Sequence, residues 1–215
     1  MSKDLSTITI LLAVRDQAEA LESNLPRFLE AAHEAGCRVV VVDDASTDET
    51  PDVLERMKGQ YDNLYTTFLP KLVPNTKSRI QLALTVGVKA VKSERVVFAN
   101  IMCPPRNKAW LERLNDDDIV LVYTGRKASD ERIYSQHFPL LKDAAGLICK
   151  AERHSGRGRR GKWLKTLRGH YDAFAVGKEQ MFEAAKLFGH RMRGRKLVWQ
   201  QLKAMVTFLT NSPQV

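Results

Sequence analysis

Hydrophobic and polar positions follow two alternating patterns through the first half of the chain and a little beyond it. Short apolar runs rich in β-branched residues, such as RVVVV at 38–42, are typical of strands buried on both faces. Longer segments with apolar residues every three or four positions, such as 18–35, are typical of amphipathic helices. The predicted strands are 7–14, 38–42, 64–69, 95–99 and 119–123, and the predicted helices are 18–35, a short helix from Thr50 and Pro51, 77–91 and 110–114.

The order of these elements predicts a fold class. Strand and helix alternate, which is typical of an α/β fold with a largely parallel sheet flanked by helices. In such sheets ligands bind at the carboxyl ends of the strands. Candidate binding residues should therefore lie directly after Val14, Val42, Leu69 and Ala99.

The second half of the chain has a less regular pattern. The elements predicted there are helices at 138–150, 177–188 and 196–209, a short strand at 171–176 and a basic glycine-rich loop at 155–162. We find no internal repeat and no linker. We therefore expect one domain over residues 1–215.

The sequence VVVVDDASTDET at 39–50 is the strongest candidate for a binding motif. A predicted buried strand runs directly into Asp43 and Asp44, and a predicted helix follows with Thr50 as its cap and Pro51 in its first turn. A carboxylate at a strand end can accept a hydrogen bond from a nucleobase N–H or a ribose hydroxyl. The alternative is purely structural, since Asp, Ser and Thr are common in turns and helix caps.

The same stretch resembles the hallmark of the family 2 glycosyltransferases, in which a hydrophobic strand leads into Asp-Asp-small-Ser-Thr-Asp. The segment ITILLAVRD at 8–16 is similar to the first strand of that family, with Ala13 where proline is usual and Asp16 where asparagine is usual. The segments 84–90 and 95–99 resemble the helix and strand that lead to the family's metal site. The resemblance covers about residues 7–114.

The resemblance implies a GT-A fold that binds a nucleotide-sugar donor. By this resemblance Asp43 and Asp44 would bind the nucleotide, and residues 1–105 would form the donor-binding half. Residues 106–215 would then form a basic acceptor half. The nucleotide-binding candidates are Ala13, Val14, Arg15, Asp43, Asp44, Lys77 and Arg79.

The chain departs from the family where a metal ion is expected. Family members usually end the fourth strand with Asp-x-Asp, which holds Mg²⁺ or Mn²⁺ against the diphosphate. Here the segment is FANIMCPP, so Asn100 is the one good oxygen ligand and a metal requirement is doubtful. Basic residues such as Lys77 and Arg79 could replace the metal. The run Asp116 to Asp118 has Asp-x-Asp spacing, but it precedes the fifth strand, and a solvated turn is favoured.

No catalytic base can be assigned from the sequence. The family usually carries a Glu-Asp pair in its acceptor half, and the similar stretch at 194–203 contains none. Weak catalytic candidates are Asp172, Glu179 and Glu183, each with the alternative of an ordinary surface residue.

Charge is distributed unevenly along the chain. Residues 1–105 carry 12 Lys/Arg and 14 Asp/Glu, whereas residues 106–215 carry 22 and 11. Arg157, Arg159 and Arg160 are therefore candidates for binding an anion, either a diphosphate or an anionic membrane surface, against the alternative of a solvated basic face. Nucleic acid is a less favoured partner, because no aromatic residues are interleaved for base stacking.

The expected function is transfer of a sugar from a nucleotide-sugar to a glycan or lipid-linked acceptor, in cell-surface polysaccharide biosynthesis. The alternatives are a catalytically inactive binding or scaffold protein with the same fold, and a nucleic-acid-binding α/β protein. The three cysteines are widely spaced and no apolar run is long enough to span a membrane. We therefore expect a cytoplasmic protein, peripherally associated with the inner face of the membrane.

Overall fold

The structure is a computed structural model that describes residues 4–71, 79–105, 108–124, 133–142, 144 and 172–187. The strands are β1 Ile8–Val14, β2 Arg38–Asp43, β3 Leu64–Phe68, β4 Arg95–Ala99, β5 Ile119–Thr124, β6 Ile133–Phe138 and β7 Ala173–Gly177. The helices are α1 Ala18–Glu34, α2 Thr50–Gln60, α3 Arg79–Ala90, α4 Lys108–Leu114 and α5 Met181–Leu187, with a 3₁₀ turn at Lys178–Gln180.

The seven strands of the described residues form one sheet in the order β3-β2-β1-β4-β7-β5-β6. The strands β3, β2, β1 and β4 are parallel, whereas β7 runs antiparallel to both of its neighbours, β4 and β5. We call the edge where β1, β2 and β4 end the carboxyl edge, and the edge where they begin the amino edge. Because of its reversed direction, β7 begins at the carboxyl edge.

Both faces of the sheet are covered by packed helices. Every residue of β1 and of β4 is buried, as the apolar runs predict. On the face covered by α1, Phe28 and Trp110 pack edge to face with ring centroids 6.2 Å apart. On the face covered by α3, Phe98 and Phe174 stack with centroids 6.0 Å apart.

Helix α3 lies unusually close to the sheet at Gly87. A Cβ atom at this position would lie 2.3 Å from Leu11 Cδ1 and 2.9 Å from Val42 Cγ2. Any larger residue would push the helix away from the two central strands. The start of α3, which carries Arg79, is thereby held against the sheet.

The predicted α/β fold with a mostly parallel sheet is confirmed, and the predicted strands are observed within one or two residues of their expected bounds. Strand β6 was not predicted, and Phe138 ends this strand instead of beginning a helix. Of the predicted helix at 138–150, the structure describes helical residues only at 141, 142 and 144. The predicted loop at 155–162 and the helix at 196–209 lie outside the described residues.

The expectation that Thr50 caps α2 is wrong. The cap position is Glu49, and its side chain makes no capping hydrogen bond. Instead the Thr50 hydroxyl accepts a hydrogen bond from Gln17 N at 3.0 Å, and Asp48 Oδ1 accepts one from Thr50 N at 3.0 Å. The threonine therefore joins the beginnings of α1 and α2.

One sheet unites strands from both halves of the chain, since β7 lies between β4 and β5. The division into a donor half and an acceptor half stays a prediction. Within the described residues, no helix combines the length and the apolar character that crossing a membrane would require.

Candidate functional site

The ends of β1 and β2 meet at the carboxyl edge and position the predicted aspartates. Val14 pairs with Asp43 in the β1–β2 register, and Asp44 N donates a hydrogen bond to Val14 O at 2.8 Å. The loop after β2 is thereby held against the loop after β1. Ala13 and Val14 themselves are buried in the core, on opposite faces of the sheet.

The Asp43 carboxylate organises the loop that follows it. Its Oδ1 atom accepts hydrogen bonds from Ser46 N at 3.0 Å and from Ser46 Oγ at 2.5 Å. The same hydroxyl oxygen accepts a hydrogen bond from Asp16 N at 2.9 Å. Asp43 therefore fixes the relative position of the two loops that form this edge.

The Asp44 carboxylate lies between two arginines. Its Oδ1 atom accepts hydrogen bonds from Arg79 Nε at 2.8 Å and Arg79 Nη2 at 2.7 Å. Its Oδ2 atom lies 3.9 Å from Arg15 Nη1. Asp44 is 7% exposed, whereas the side chain of Arg79 is 27% exposed, so the carboxylate is buried and its arginine partner is partly in contact with water. The guanidinium of Arg79 also donates to Pro70 O and Lys71 O, both at 3.3 Å, and so connects α3 to the end of β3.

Two residues of this edge have left-handed backbone conformations without being glycine. Asp16 has φ 49° and Ala45 has φ 54°. Such conformations cost about 1–3 kcal/mol each and are commonly found at functional sites. Hydrogen bonds from Thr47 N at 2.7 Å and Thr47 Oγ1 at 3.2 Å to Asp16 Oδ1 hold the first of them. Asp and Asn tolerate this conformation better than other residues with a Cβ. This explains why Asp16 can stand where the family usually has asparagine.

Asp48 holds the two helix starts beside the site, a role that the sequence analysis did not assign. Its Oδ2 atom accepts a hydrogen bond from Ala18 N at 3.0 Å, in addition to the Oδ1 contact with Thr50 N. Partial burial raises the pKa of the Asp48 carboxyl, but the hydrogen bonds from Thr50 and Ala18 lower the pKa by more, so that it lies below its ordinary value. The sequence feature that could have indicated this role is the position of Asp48, two residues before the first residue of α2.

An open groove of ≈ 990 Å³ lies beside these helix starts, and Met102 is among its lining residues. Its lining includes one arginine, Arg15, and is otherwise rich in carboxylates. The acidic residues of the lining are Asp16, Glu19, Glu22, Asp48, Glu49 and Asp52. This charge disfavours an anion such as a diphosphate inside the groove.

The structure brings Asn100 and Asp172 together at the end of β4. Asn100 is 1% exposed, and its Oδ1 atom accepts a hydrogen bond from Met102 N at 2.9 Å. Asn100 N donates a hydrogen bond to Asp172 O at 3.2 Å, and Asp172 is 8% exposed. Asp172 is therefore a buried residue of the carboxyl edge and not a surface residue. The sequence signal was its position directly before a predicted strand, but only the antiparallel direction of that strand places it here.

The other two weak catalytic candidates lie elsewhere. Glu179 is exposed in the 3₁₀ turn after β7, where Lys178 N donates to Glu94 O at the amino edge. Glu183 is exposed on α5 and forms an ion pair with Lys186 on the next turn. Lys77, Arg157, Arg159 and Arg160 lie outside the described residues.

A second group of acids lies at the amino edge. Asp116, Asp118 and His137 each offer a ligand atom, and these atoms lie within 4.8 Å of one another. Asp118 N donates to Asp116 Oδ1 at 3.3 Å, as in a turn. His137 Nδ1 lies 3.6 Å from Asp116 Oδ2.

The buried Arg95 gives a structural reason for the clustering of these acids. Its Nε atom donates to Leu114 O at 2.7 Å and its Nη2 atom donates to Asp118 O at 2.5 Å. Burial lowers the pKa of Arg95, whereas the carboxylates of Asp116, Asp117 and Asp118 raise it. The acidic run thus stabilises a buried cation.

The sequence profile described as "Glycosyl transferase family 2" matches residues 12–184 of this chain. The chain belongs to glycosyl transferase family 2. The match includes the aspartate motif, the Asn100 segment and the described part of α5 up to Ala184. No curated protein sequence matches the chain significantly.

The solved structures that this chain resembles include three glycosyltransferases. Glucosyl-3-phosphoglycerate synthase from Mycobacterium tuberculosis, in complex with Mn²⁺, UDP and phosphoglyceric acid, has a TM-score of 0.51 at 14% identity, covering 94% of this chain and 77% of that chain. The mannosyltransferase PcManGT from Pyrobaculum calidifontis, in complex with GDP-Man and Mn²⁺, has a TM-score of 0.48 at 14% identity, covering 92% and 73%. TarS residues 1–349 from S. aureus, in complex with UDP-GlcNAc, has a TM-score of 0.40 at 21% identity, covering 57% and 37%.

The family match and the likeness to the synthase structure from Mycobacterium tuberculosis establish the fold of this family 2 member as GT-A. The chain spans about a third of the TarS structure that it matches. The ligands named above belong to those proteins.

Proposed function

We propose that this family 2 member binds a nucleotide-sugar at the carboxyl edge and transfers the sugar to an acceptor. The observation that carries the proposal is the buried Asp44 carboxylate, which Arg79 and Arg15 hold at the end of β2. A carboxylate fixed in this way can accept hydrogen bonds from a base or a ribose without first losing side-chain freedom.

The neighbouring residues have complementary roles in this proposal. Asp43 fixes the loop against which the nucleoside lies, and the backbone of Ala13 and Val14 forms the floor. Arg15 is half-exposed and can turn from Asp44 to a bound nucleotide. Arg79 orients Asp44 and places positive charge on the α3 side of the edge. Lys77 and the arginines at 157, 159 and 160 remain proposed anion-binding residues.

Strand β4 alone offers an incomplete set of ligands for a divalent cation at this edge. Asn100 offers an uncharged amide oxygen, and that oxygen already accepts a hydrogen bond from Met102 N. The buried Asp172 on the next strand adds a carboxylate, so the two strands together contain oxygen ligands of the kind that Mg²⁺ and Mn²⁺ prefer. When bound, such a cation would neutralise charge that develops on the departing diphosphate.

The proposal also includes the class of acceptor that receives the sugar. We propose a glycan or lipid-linked acceptor, met by the basic residues 106–215, in a cytoplasmic protein that contacts an anionic membrane surface. The excess of basic residues in this half supports the assignment.

A second candidate function is nucleotide-sugar binding without transfer. The amide at Asn100, where the family usually has a carboxylate, favours this candidate. The two functions differ in one measurable property, because only the first one converts a nucleotide-sugar to free nucleoside diphosphate in the presence of acceptor or water.

Calorimetric titration with UDP, GDP and UDP-sugars tests the first step. We expect Asp44→Ala to weaken binding of the preferred nucleotide by about 30-fold or more, since truncating a buried, hydrogen-bonded charge in an interface costs about 2–5 kcal/mol. Asp117→Ala is the matched control, because Asp117 is an exposed aspartate at the amino edge. The nucleotide affinity of this variant should equal that of the wild type.

Equal affinities of Asp44→Ala and wild type would contradict the proposed site. Nucleotide binding that needs Asp44, combined with no release of UDP or GDP from any nucleotide-sugar, would favour binding without transfer. Release that Asp44→Ala abolishes and Asp117→Ala preserves would support the transferase.

A further inference from the structure

Strand β3 forms one edge of the sheet that the described residues build. It pairs with β2 on one side, and no described strand lies on its other side. The strand LYTTF contains no charged residue and no proline, the features that natural edge strands commonly use to prevent pairing with another chain. The strand at the opposite edge, β6, instead has three polar residues in succession, from Ser135 to His137. Of the two edges, β3 is therefore the better suited to receive an added strand.

Alternate residues of β3 direct their backbone groups toward β2 and away from it. Leu69 N donates a hydrogen bond to Asp43 O at 2.8 Å, so in this parallel pair the odd-numbered residues of β3 bond to β2. Leu64 N lies 3.5 Å from Tyr61 O, and this hydrogen bond is long. A row of N–H and C=O groups thus faces outward along the edge. The residues that carry these groups are Leu64, Thr66 and Phe68.

Two aromatic side chains of β3 are exposed on opposite faces of the sheet. Tyr65 is 51% exposed and Phe68 is 73% exposed, more than the other large hydrophobic residues in the described part of the chain. Because the two are three positions apart on a strand, they project from different faces. A helix lying on one face could cover only one of them. A strand added at the edge can contact both.

We propose that β3 pairs with β3 of a second copy of this chain, in an antiparallel arrangement centred on Thr66. Two-fold symmetry places Thr66 opposite Thr66, and Leu64 opposite Phe68 of the second copy. Each outward-facing residue then meets an outward-facing residue, as the hydrogen-bonded pairs of antiparallel strands require. On the other face Tyr65 lies opposite Thr67 of the second copy, so both exposed aromatic side chains gain a cross-strand neighbour.

Charges at the two ends of β3 favour the antiparallel orientation. The exposed Asp62 precedes the strand and the exposed Lys71 follows it. An antiparallel pair brings Asp62 of each copy to the end where the other copy has Lys71, whereas a parallel pair would place like charges side by side. The two-fold pair is thus complementary in charge as well as in hydrogen bonding. This association requires no nucleotide and goes beyond the proposed function.

Sedimentation velocity of the full chain over a range of protein concentrations tests the inference. We expect the wild type to form a dimer. Thr66→Lys should weaken the dimer by about tenfold or more, because two lysines would lie opposite each other at its centre, and Thr66→Glu should do the same. An equal mixture of the two variants should restore the dimer, because lysine then lies opposite glutamate. Ser135→Lys, on the opposite edge strand, is the matched control and should dimerise like the wild type.

A wild type that stays monomeric at every concentration would overturn the inference, and another segment of the chain or a different partner would then be the occupant of this edge. A dimer that persists in Thr66→Lys, or that is lost in Ser135→Lys instead, would also overturn it. Restoration by mixing would show that both Thr66 variants are folded. If they fold poorly, Phe68→Lys decides the question, because it changes a side chain that is 73% exposed. Wild-type dimer affinity in that variant would contradict the proposed pairing.

Discussion

The two edges of the sheet both carry clustered aspartates, but their surroundings differ. At the carboxyl edge Asp43 and Asp44 are buried, and strained backbone at Asp16 and Ala45 surrounds them. At the amino edge the run from Asp116 to Asp118 is partly exposed and surrounds a buried arginine. The first group is fixed by hydrogen bonds from Ser46 and Arg79, whereas the second compensates a charge that the fold itself buries. Spacing of acids along the sequence does not distinguish these cases, because it does not reveal which end of a strand they occupy.

Replacing Arg95 should produce the largest effect on stability at the amino edge. We expect Arg95→Met to lower the free energy of unfolding by about 2–4 kcal/mol, since Leu114 O and Asp118 O lose their buried donors. Denaturant unfolding measures the change, and Arg113→Met, at an exposed position of α4, is a control expected to stay within about 0.5 kcal/mol.

The same variant tests the independence of the two edges. Nucleotide affinity of folded Arg95→Met should equal that of the wild type. A loss of affinity as large as that of Asp44→Ala would mean that the edges are coupled and that the contrast drawn between them is wrong.

A substitution in the middle of the sheet should instead affect the whole molecule. Gly87→Ala introduces a Cβ that would lie 2.3 Å from Leu11 Cδ1, so we expect unfolding to become easier by about 1–3 kcal/mol. Gly59→Ala is the matched control, because nothing lies within 4 Å of the added Cβ on α2. There the greater helix propensity of alanine should stabilise the protein by up to about 1 kcal/mol. Equal behaviour of the two variants in thermal unfolding would refute the close packing of α3.

The smallest expected effect on the free energy of unfolding is that of alkaline pH, which acts through Cys37 at the amino edge. Burial raises the pKa of the Cys37 thiol, directly before β2, from 9.0 to about 11. Because the unfolded chain loses this proton first, the stability that the neutral thiol provides is complete below pH 9 and is lost as the pH rises toward 11.

We expect this loss to reach about 1–2 kcal/mol near pH 11, and Cys37→Ala should lack this part of the pH dependence. Denaturant unfolding at several pH values measures it. A Cys37→Ala profile parallel to that of the wild type above pH 9 would contradict the assignment.

Much of the fold could be predicted from the sequence because buried parallel strands have a simple signature. The runs at 38–42 and 95–99 are apolar and β-branched, and both became central strands. Strand β6 (IYSQHF) has no such run, because it lies at the edge of the sheet, where Ser135 and Gln136 are partly buried and His137 is exposed. Its identity as a strand depends on its partner β5, which a local pattern does not reveal.

The candidate site could be predicted where it follows strand ends and not where it depends on strand direction. Asp43 and Asp44 follow β2 directly, so their position was evident. Asp172 precedes its strand, and a residue before a parallel strand would lie at the amino edge. Only the reversal of β7 brings it to Asn100. The contact of Arg79 with Asp44, 35 residues apart, likewise depends on how α3 packs on the sheet.

The insertion of β7 between β4 and β5 has a consequence for the order in which the protein is made. Strand β5 has no hydrogen-bonded pairing with β4, and the hairpin of β5 and β6 joins the rest of the sheet through β7. During synthesis this edge of β4 can therefore meet its native partner only after the residues of β7 have been made. The same strand carries Asp172 into place at its first step. Closure of the native sheet thus depends on the last strand of the described residues.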